Sequence, residues 1–196
     1  MSEVTSWMER HVADHVSAAE SLHGLLPAAA AVGDLLCRAY ATSPSGVLYT
    51  FGNGGSAADA QHLTGEMVGR YRRERRPLPA VTLTADATVT SCIANDYTYG
   101  DVFARQVTAL ARPGDVVAGF TTSGRSPNVV AGLAAARGAG AATVLFGGGD
   151  GGHAHDHADH ALLVPSTTTP RIQEMHTLLL HVISEMVDAW AAKEDL

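Results

Sequence analysis

Only two of the 196 residues are cysteines, Cys37 and Cys92. That number excludes a disulfide framework and a four-cysteine zinc site. Apolar runs long enough to cross a bilayer are missing too, so no membrane partner is expected. Met1 to His15 carries charged and polar residues throughout and lacks the apolar stretch of a secretion signal. We therefore expect a cytoplasmic protein. An excess of positive charge is also lacking. The formal net charge of −7 argues against a nucleic-acid partner, although a local patch runs from Arg70 to Arg76. Neither a repeat nor a linker interrupts the chain, and its length suits one continuous core, so a single domain over 1–196 is expected.

What the sequence does contain is an alternation of short apolar runs and amphipathic segments. Helical patterns at Val4–Leu22 and Leu26–Thr42 come first. Strand candidates follow at Gly46–Phe51, Ala80–Thr84, Asp115–Phe120, Ala142–Phe146 and His160–Val164. Between and after them lie helical segments at Ser56–Arg70, Asp86–Ala94, Gly100–Arg112, Pro127–Arg137 and Pro170–Trp190. This order predicts an α/β protein: a doubly wound, parallel, five-stranded sheet flanked by helices (about 46–192), with two leading N-terminal helices (about 1–42). Ligands in such sheets bind beyond the carboxyl ends of the strands, near a topological switch point.

Two loops fall at such places. Gly119-Phe120-Thr121-Thr122-Ser123-Gly124-Arg125-Ser126-Pro127-Asn128 joins the third strand to a helix with Pro127 in its first turn. Hydroxyls at a helix start, with free N–H groups and the helix dipole, form a natural anion site. Without a lysine they suit a phosphate ester that is held and not transferred. An ordinary Ser/Thr-rich turn with a helix cap would show the same residues. The first strand ends in Gly52-Asn53-Gly54-Gly55-Ser56, where the glycines let the main chain approach a ligand and Ser56 is a candidate cap. The P-loop lysine and the GxGxxG spacing are both absent, so no nucleotide cofactor is expected. On the next helix His62 and Glu66 lie four residues apart and share a face. They can bind one divalent metal or share proton transfer, and a surface His–Glu pair is the plain alternative.

In sum these stretches resemble the sugar isomerase (SIS) domain proteins and, within them, the bacterial phosphoheptose isomerases. The resemblance rests on Gly52 to Ser56 with His62 and Glu66, on Gly69-Arg70-Tyr71, and on Asn95-Asp96. It continues through Thr122 to Val129 and through Arg171-Ile172-Gln173-Glu174-Met175-His176, followed by His181. It implies an SIS-type fold and an aldose–ketose isomerase converting sedoheptulose 7-phosphate to D-glycero-D-manno-heptose 7-phosphate for nucleotide-activated heptose. It implies a phosphate loop at Thr121, Thr122, Ser123 and Ser126, assisted by Ser56. Sugar contacts would fall on Asn53, Gly54, Gly55, Glu66, Asn95, Asp96 and Gln173, and catalysis on Glu66 and His181. One zinc per subunit would be held by His62, Glu66, Gln173 and His181. The assembly implied is a homotetramer with the N-terminal helices in its interface and active sites at subunit contacts.

Those residue types suit the chemistry. Moving a carbonyl along a sugar needs a base at one carbon and an acid at its neighbour, through an enediol(ate). Metal ligation and proton shuttling compete for the same lone pairs on Glu66 and His181. Gln173 and His181 are also eight residues apart, about 12 Å of helix rise, so joint ligation expects Gln173 at a frayed helix start or ligands from different subunits. The chain has Pro170 where some members place an acidic residue, and Thr121 where serine is frequent. Two other readings stand: a non-catalytic SIS tetramer resembling the replication-initiator-associating proteins, and an isomerase of another sugar phosphate. Four further features are expected to be passive. The segment His153–His160, with Asp156 and Asp159, reads as a solvated loop, and so do Arg72, Arg73, Arg75 and Arg76. Cys92 reads as a small core residue, and Trp7 and Met8 as interface or core.

Overall fold

The computed structural model describes residues 3–193. Helix α1 (Glu3–Ser21) leads through a 3-10 turn at Leu22–Leu25 into α2 (Leu26–Ala41). Then follow β1 (Leu48–Gly52), α3 (Gly55–Val68), β2 (Ala80–Thr82), α4 (Ala87–Asp96), α5 (Val102–Leu110) and β3 (Val116–Phe120). The chain continues through α6 (Pro127–Gly138), β4 (Ala142–Gly148), α7 (Gly152–His155), β5 (His160–Val164) and α8 (Thr169–Ala192). The five strands form one sheet in the order β2-β1-β3-β4-β5, with every pairing parallel.

Short apolar runs form the strands because both faces of the sheet are covered. Every residue of β1 and β3 is buried. Successive side chains alternate between two cores, as the pleat requires. Leu48, Val116, Ala118, Phe120, Val144 and Phe146 pack with α2, α3 and α8. Tyr49, Phe51, Val117 and Leu145 pack with α5 and α6. The expected α/β architecture is the observed one, and strand order reverses between β1 and β3. The two glycine- and hydroxyl-bearing loops emerge side by side at that switch point.

Some expectations change. Gly54, at φ 56°, is the N-cap of α3, and Ser56 lies buried in the helix's first turn. The histidine-rich segment includes the single turn α7. Cys92 is exposed on α4, because Ile93 is the residue that α4 buries. Of the two places expected for Trp7 and Met8, interface or core, the core is excluded within this chain: each is 53 % exposed, and α1 also shows Val12 and Val16 to solvent. The arginine segment is anything but uniformly solvated, since the Arg75 side chain is 0 % exposed.

Candidate active site

The first half of the site is made of hydroxyls and amides. A cavity of about 220 Å³ lies between the two switch-point loops and the start of α8, lined by Asn53, Ser56, Thr121, Thr122, Ser126 and Gln173, with Phe120 and Thr169. Ser126 is the N-cap of α6, with Pro127 next to it. Its hydroxyl makes no capping bond, which leaves it available to a ligand. Thr121 Oγ1 accepts the Gly124 N–H at 3.2 Å and is buried. Ser123 turns outward, and its Oγ accepts the Arg125 N–H at 3.2 Å. With Thr122 it lines a neighbouring cavity of about 400 Å³, whose rim carries an Arg125–Asp150 ion pair at 3.1 Å.

Asn53 is fixed before any ligand arrives. Its Nδ2 donates to Asn128 Oδ1 at 2.8 Å and its Oδ1 accepts from Asn128 Nδ2 at 2.9 Å. Tyr99 also donates its hydroxyl to Asn53 Oδ1 at 3.0 Å. Asn128 and Tyr99 were not expected as site residues. The first lies two residues beyond Ser126 in the same motif, which was the available signal. Gly55 has a clear physical reason: a Cβ there would stand 2.6 Å from the Gln173 amide.

The second half is titratable and runs along the seam of α3 and α8. Below the Gly55–Gln173 contact, Thr177 donates to Asp59 Oδ1 at 3.1 Å. One turn further, His62 Nε2 and His181 Nε2 face each other at 3.2 Å. His62 Nε2 also stands 3.0 Å from Glu66 Oε1. One ligand atom from each of His62, Glu66 and His181 lies within 4.8 Å of the others, and this is the one such group found among the described residues. Three donor atoms aimed at one point repel unless a proton or a cation sits among them. An N,N,O set is one that zinc accepts, with a coordination position left for a further ligand. Burial, and then the nearby His62, push the His181 pKa below its ordinary value, against the pull of Glu66. The Tyr71 ring lies 5.5 Å from the His181 ring.

Two buried groups lie between the halves. Burial pushes His176 down to about 4, while its Nε2 bonds the Gly147 carbonyl at 3.1 Å. Its Nδ1 and Asp59 Oδ2 have no partners and are 3.9 Å apart, and burial raises the Asp59 pKa.

The expected residues thus fall into separate places. Helix α8 is continuous from Thr169, so Gln173 does not sit on a frayed end. It packs at Gly55 and lines the hydroxyl cavity, about 12 Å of helix rise from His181. Asn95 and Asp96 are exposed at the end of α4 and bond each other at 2.8 Å. Neither lines the hydroxyl cavity of this chain. Gly54 is exposed, with open space where a Cβ would be. Pro170 occupies the first turn of α8, where a missing N–H costs nothing.

Comparison with known proteins identifies the family. Residues 19–148 match the SIS domain family. The phosphoheptose isomerase of Roseiflexus sp. is 55 % identical over 143 residues, 73 % of either chain. That of Geotalea daltonii is 43 % identical over 182 residues, covering 92 % of this chain and 94 % of its own. The solved phosphoheptose isomerase of Neisseria gonorrhoeae superposes with a TM-score of 0.88 at 35 % identity, over 95 % of this chain and 99 % of that one. The chain belongs to the SIS domain family and, within it, to the phosphoheptose isomerases.

Proposed function

We propose that the protein isomerises sedoheptulose 7-phosphate to D-glycero-D-manno-heptose 7-phosphate through an enediol(ate). The observation that carries this reading is the pairing of a hydroxyl-lined cavity with a His–Glu–His group on one helix seam. A phosphate held by Thr121, Thr122, Ser126 and Ser56, with Ser123 from the outer side, directs the sugar along that seam. Asn53 and Gln173 hold the hydroxyls and steady the oxygen that becomes negative. Glu66 removes the proton from C1 and returns one to C2. His181, whose neutral form its burial favours, moves the proton between the two oxygens. His62 stands between them and sets their orientation.

Zinc, one ion per subunit, suits the same group through His62, Glu66 and His181; Gln173 would join only through a rearrangement or a second chain. When bound, such an ion supplies Lewis-acid polarisation of the substrate oxygens. We also propose a homotetramer of single-domain chains in the cytoplasm. The apolar residues that α1 exposes support the oligomer, as does the separation of Asn95 and Asp96 from the cavity, which a neighbouring chain would remedy. No helix among the described residues is long and apolar enough to cross a membrane.

The test is a coupled assay on metal-defined protein with sedoheptulose 7-phosphate, beside a Glu66→Gln control. Turnover that the control abolishes supports the proposal. Sugar phosphate bound without turnover would replace it with a non-catalytic SIS protein.

A further inference from the structure

The segment joining α3 to β2 holds five arginines, and one of them is unlike the rest. The Arg75 side chain is completely buried, and so is that of Asp188 on α8. Arg75 Nε donates to Asp188 Oδ1 at 3.1 Å. Its Nη1 donates to the carbonyls of Met67, Gly69 and Arg76 at 2.8, 3.1 and 2.9 Å, and its Nη2 to the carbonyl of Glu66. Glu66 and Met67 belong to the last turn of α3, where carbonyls have no partner within the helix. One guanidinium therefore closes the end of the helix that carries Glu66.

Asp188 does as much on its side. It accepts the backbone N–H groups of Tyr71, Arg72 and Arg73 at 3.3, 3.1 and 2.7 Å. The carboxylate folds this segment around itself, and that brings the Tyr71 ring against His181. Asp188 is also two helical turns beyond His181 on α8. The pair thus joins, in one buried contact, the helix of His62 and Glu66, the helix of His181, and the tyrosine beside it.

We propose that Arg75 and Asp188 are positioning residues of the active site: their ion pair sets α3 against α8 and so fixes His62, Glu66 and His181 relative to one another. Neither touches the substrate. The inference rests on the isomerase reading for its turnover readout, and on the His–Glu–His group alone for its metal readout. A fork of five donors is needed to reach an anion and four carbonyls together, so lysine is no replacement for Arg75. Outer residues that orient metal ligands typically change affinity by about 10- to 100-fold when altered.

The experiment compares Asp188→Asn and Arg75→Lys with wild type and with Arg72→Gln, a change on the same segment that breaks only the partly exposed pair of Arg72 with Glu185 of α8. Zinc affinity is measured by competition titration of metal-stripped protein, and kcat and KM with sedoheptulose 7-phosphate. For folded Asp188→Asn and Arg75→Lys we expect zinc affinity and kcat each to fall about 10-fold or more, with KM within about threefold. Arg72→Gln should match wild type. A purely stabilising pair would lower the melting temperature and leave the constants of the folded molecules unchanged; that result overturns the proposal. Should Asp188→Asn fail to fold, Arg75→Lys carries the same test. Wild-type protein that binds zinc without turnover sinks the isomerase reading and leaves zinc affinity to judge the pair. Turnover without zinc binding makes kcat the judge, and a wild type with neither overturns both.

Discussion

The two halves of the site are built differently. Phe120, Thr121, Thr122 and Ser126 of the hydroxyl cavity come from one continuous stretch at the end of β3. The His–Glu–His group comes from two helices whose contributing residues, His62 and His181, are 119 positions apart. A loop can be shaped by its own turns and caps, whereas a cluster assembled across helices depends on whatever holds the helices. The cavity therefore shares its task among several similar groups. In the cluster the proposed function gives every atom a separate task, so the loss of one is not made up by the others.

The sharpest break of this comparison is Glu66→Gln. It keeps the shape and removes the charge that, on the proposed reading, accepts the substrate proton. We expect kcat to fall by about 10²- to 10⁴-fold, the usual range for a lost general base, with KM within a few-fold. Steady-state kinetics on refolded-control protein decides it, and a KM effect with kcat preserved would transfer Glu66 to the binding half. Next in size is the double change of Thr122 and Ser126 to Ala. A hydrogen bond to a charged group contributes about 1.5–3 kcal/mol, so each lost hydroxyl should raise KM by roughly tenfold or more. Here kcat should stay near wild type, and inorganic phosphate should inhibit more weakly. A large fall in kcat instead would show that the two halves are not separable.

How much of this could be read in the sequence follows from the same distinction. The strand–helix alternation, the switch-point loops and the hydroxyls of the loop after β3 are local patterns, and the parallel sheet and the cavity follow them. The i, i+4 spacing of His62 and Glu66 put both on one face, where they are found. The partnership with His181 needed family resemblance, since nothing local relates α3 to α8. Gln173 illustrates the limit from the other side. The eight-residue separation from His181 raised the geometric objection, and the helix is indeed continuous, with Gln173 at the cavity and His181 in the cluster. In the sequence Arg75 reads as a solvated charge, because its four carbonyl partners and Asp188 lie in the fold and not in the sequence pattern.

His176 lies where the halves meet, against the Phe120 and Phe146 rings at 5.9 Å. Its pKa, pushed by burial from 6.5 to about 4, makes a prediction on stability. Between those values the unfolded chain binds more protons than the folded one, so stability falls as pH falls from about 6.5 towards 4. At pH 5 this amounts to about 2 kcal/mol relative to neutral pH. Asp59, whose pKa burial raises, acts in the opposite sense, gaining stability as pH falls through its raised value. The difference between wild type and His176→Gln isolates the imidazole, because Gln keeps a donor for the Gly147 carbonyl. Urea denaturation at several pH values should show the flatter acid limb in the variant. Equal limbs would mean that His176 is charged in the folded state.

The smallest expected effect is none at all, and it tests the principle that geometry and not residue count makes a metal site. His153, His155, His157 and His160 outnumber the histidines of the seam. Yet His153 and His155 lie on the turn α7, His160 begins β5, and no metal-binding group forms among them. Asp159, the nearest carboxylate in sequence to His160, is engaged by the Thr143 N–H and hydroxyl, both at 2.9 Å. Converting His153, His155 and His157 together to Asn should leave the tight zinc equivalent proposed at the seam and kcat within about twofold, since substitutions away from structural contacts rarely exceed about 0.5 kcal/mol. Only weak equivalents that bind at high metal concentration should disappear. If the tight equivalent disappeared with them, three convergent atoms within 4.8 Å would have been outdone by a loop without convergence. The division between a local binding half and a precisely held cluster would then fail at its most specific point.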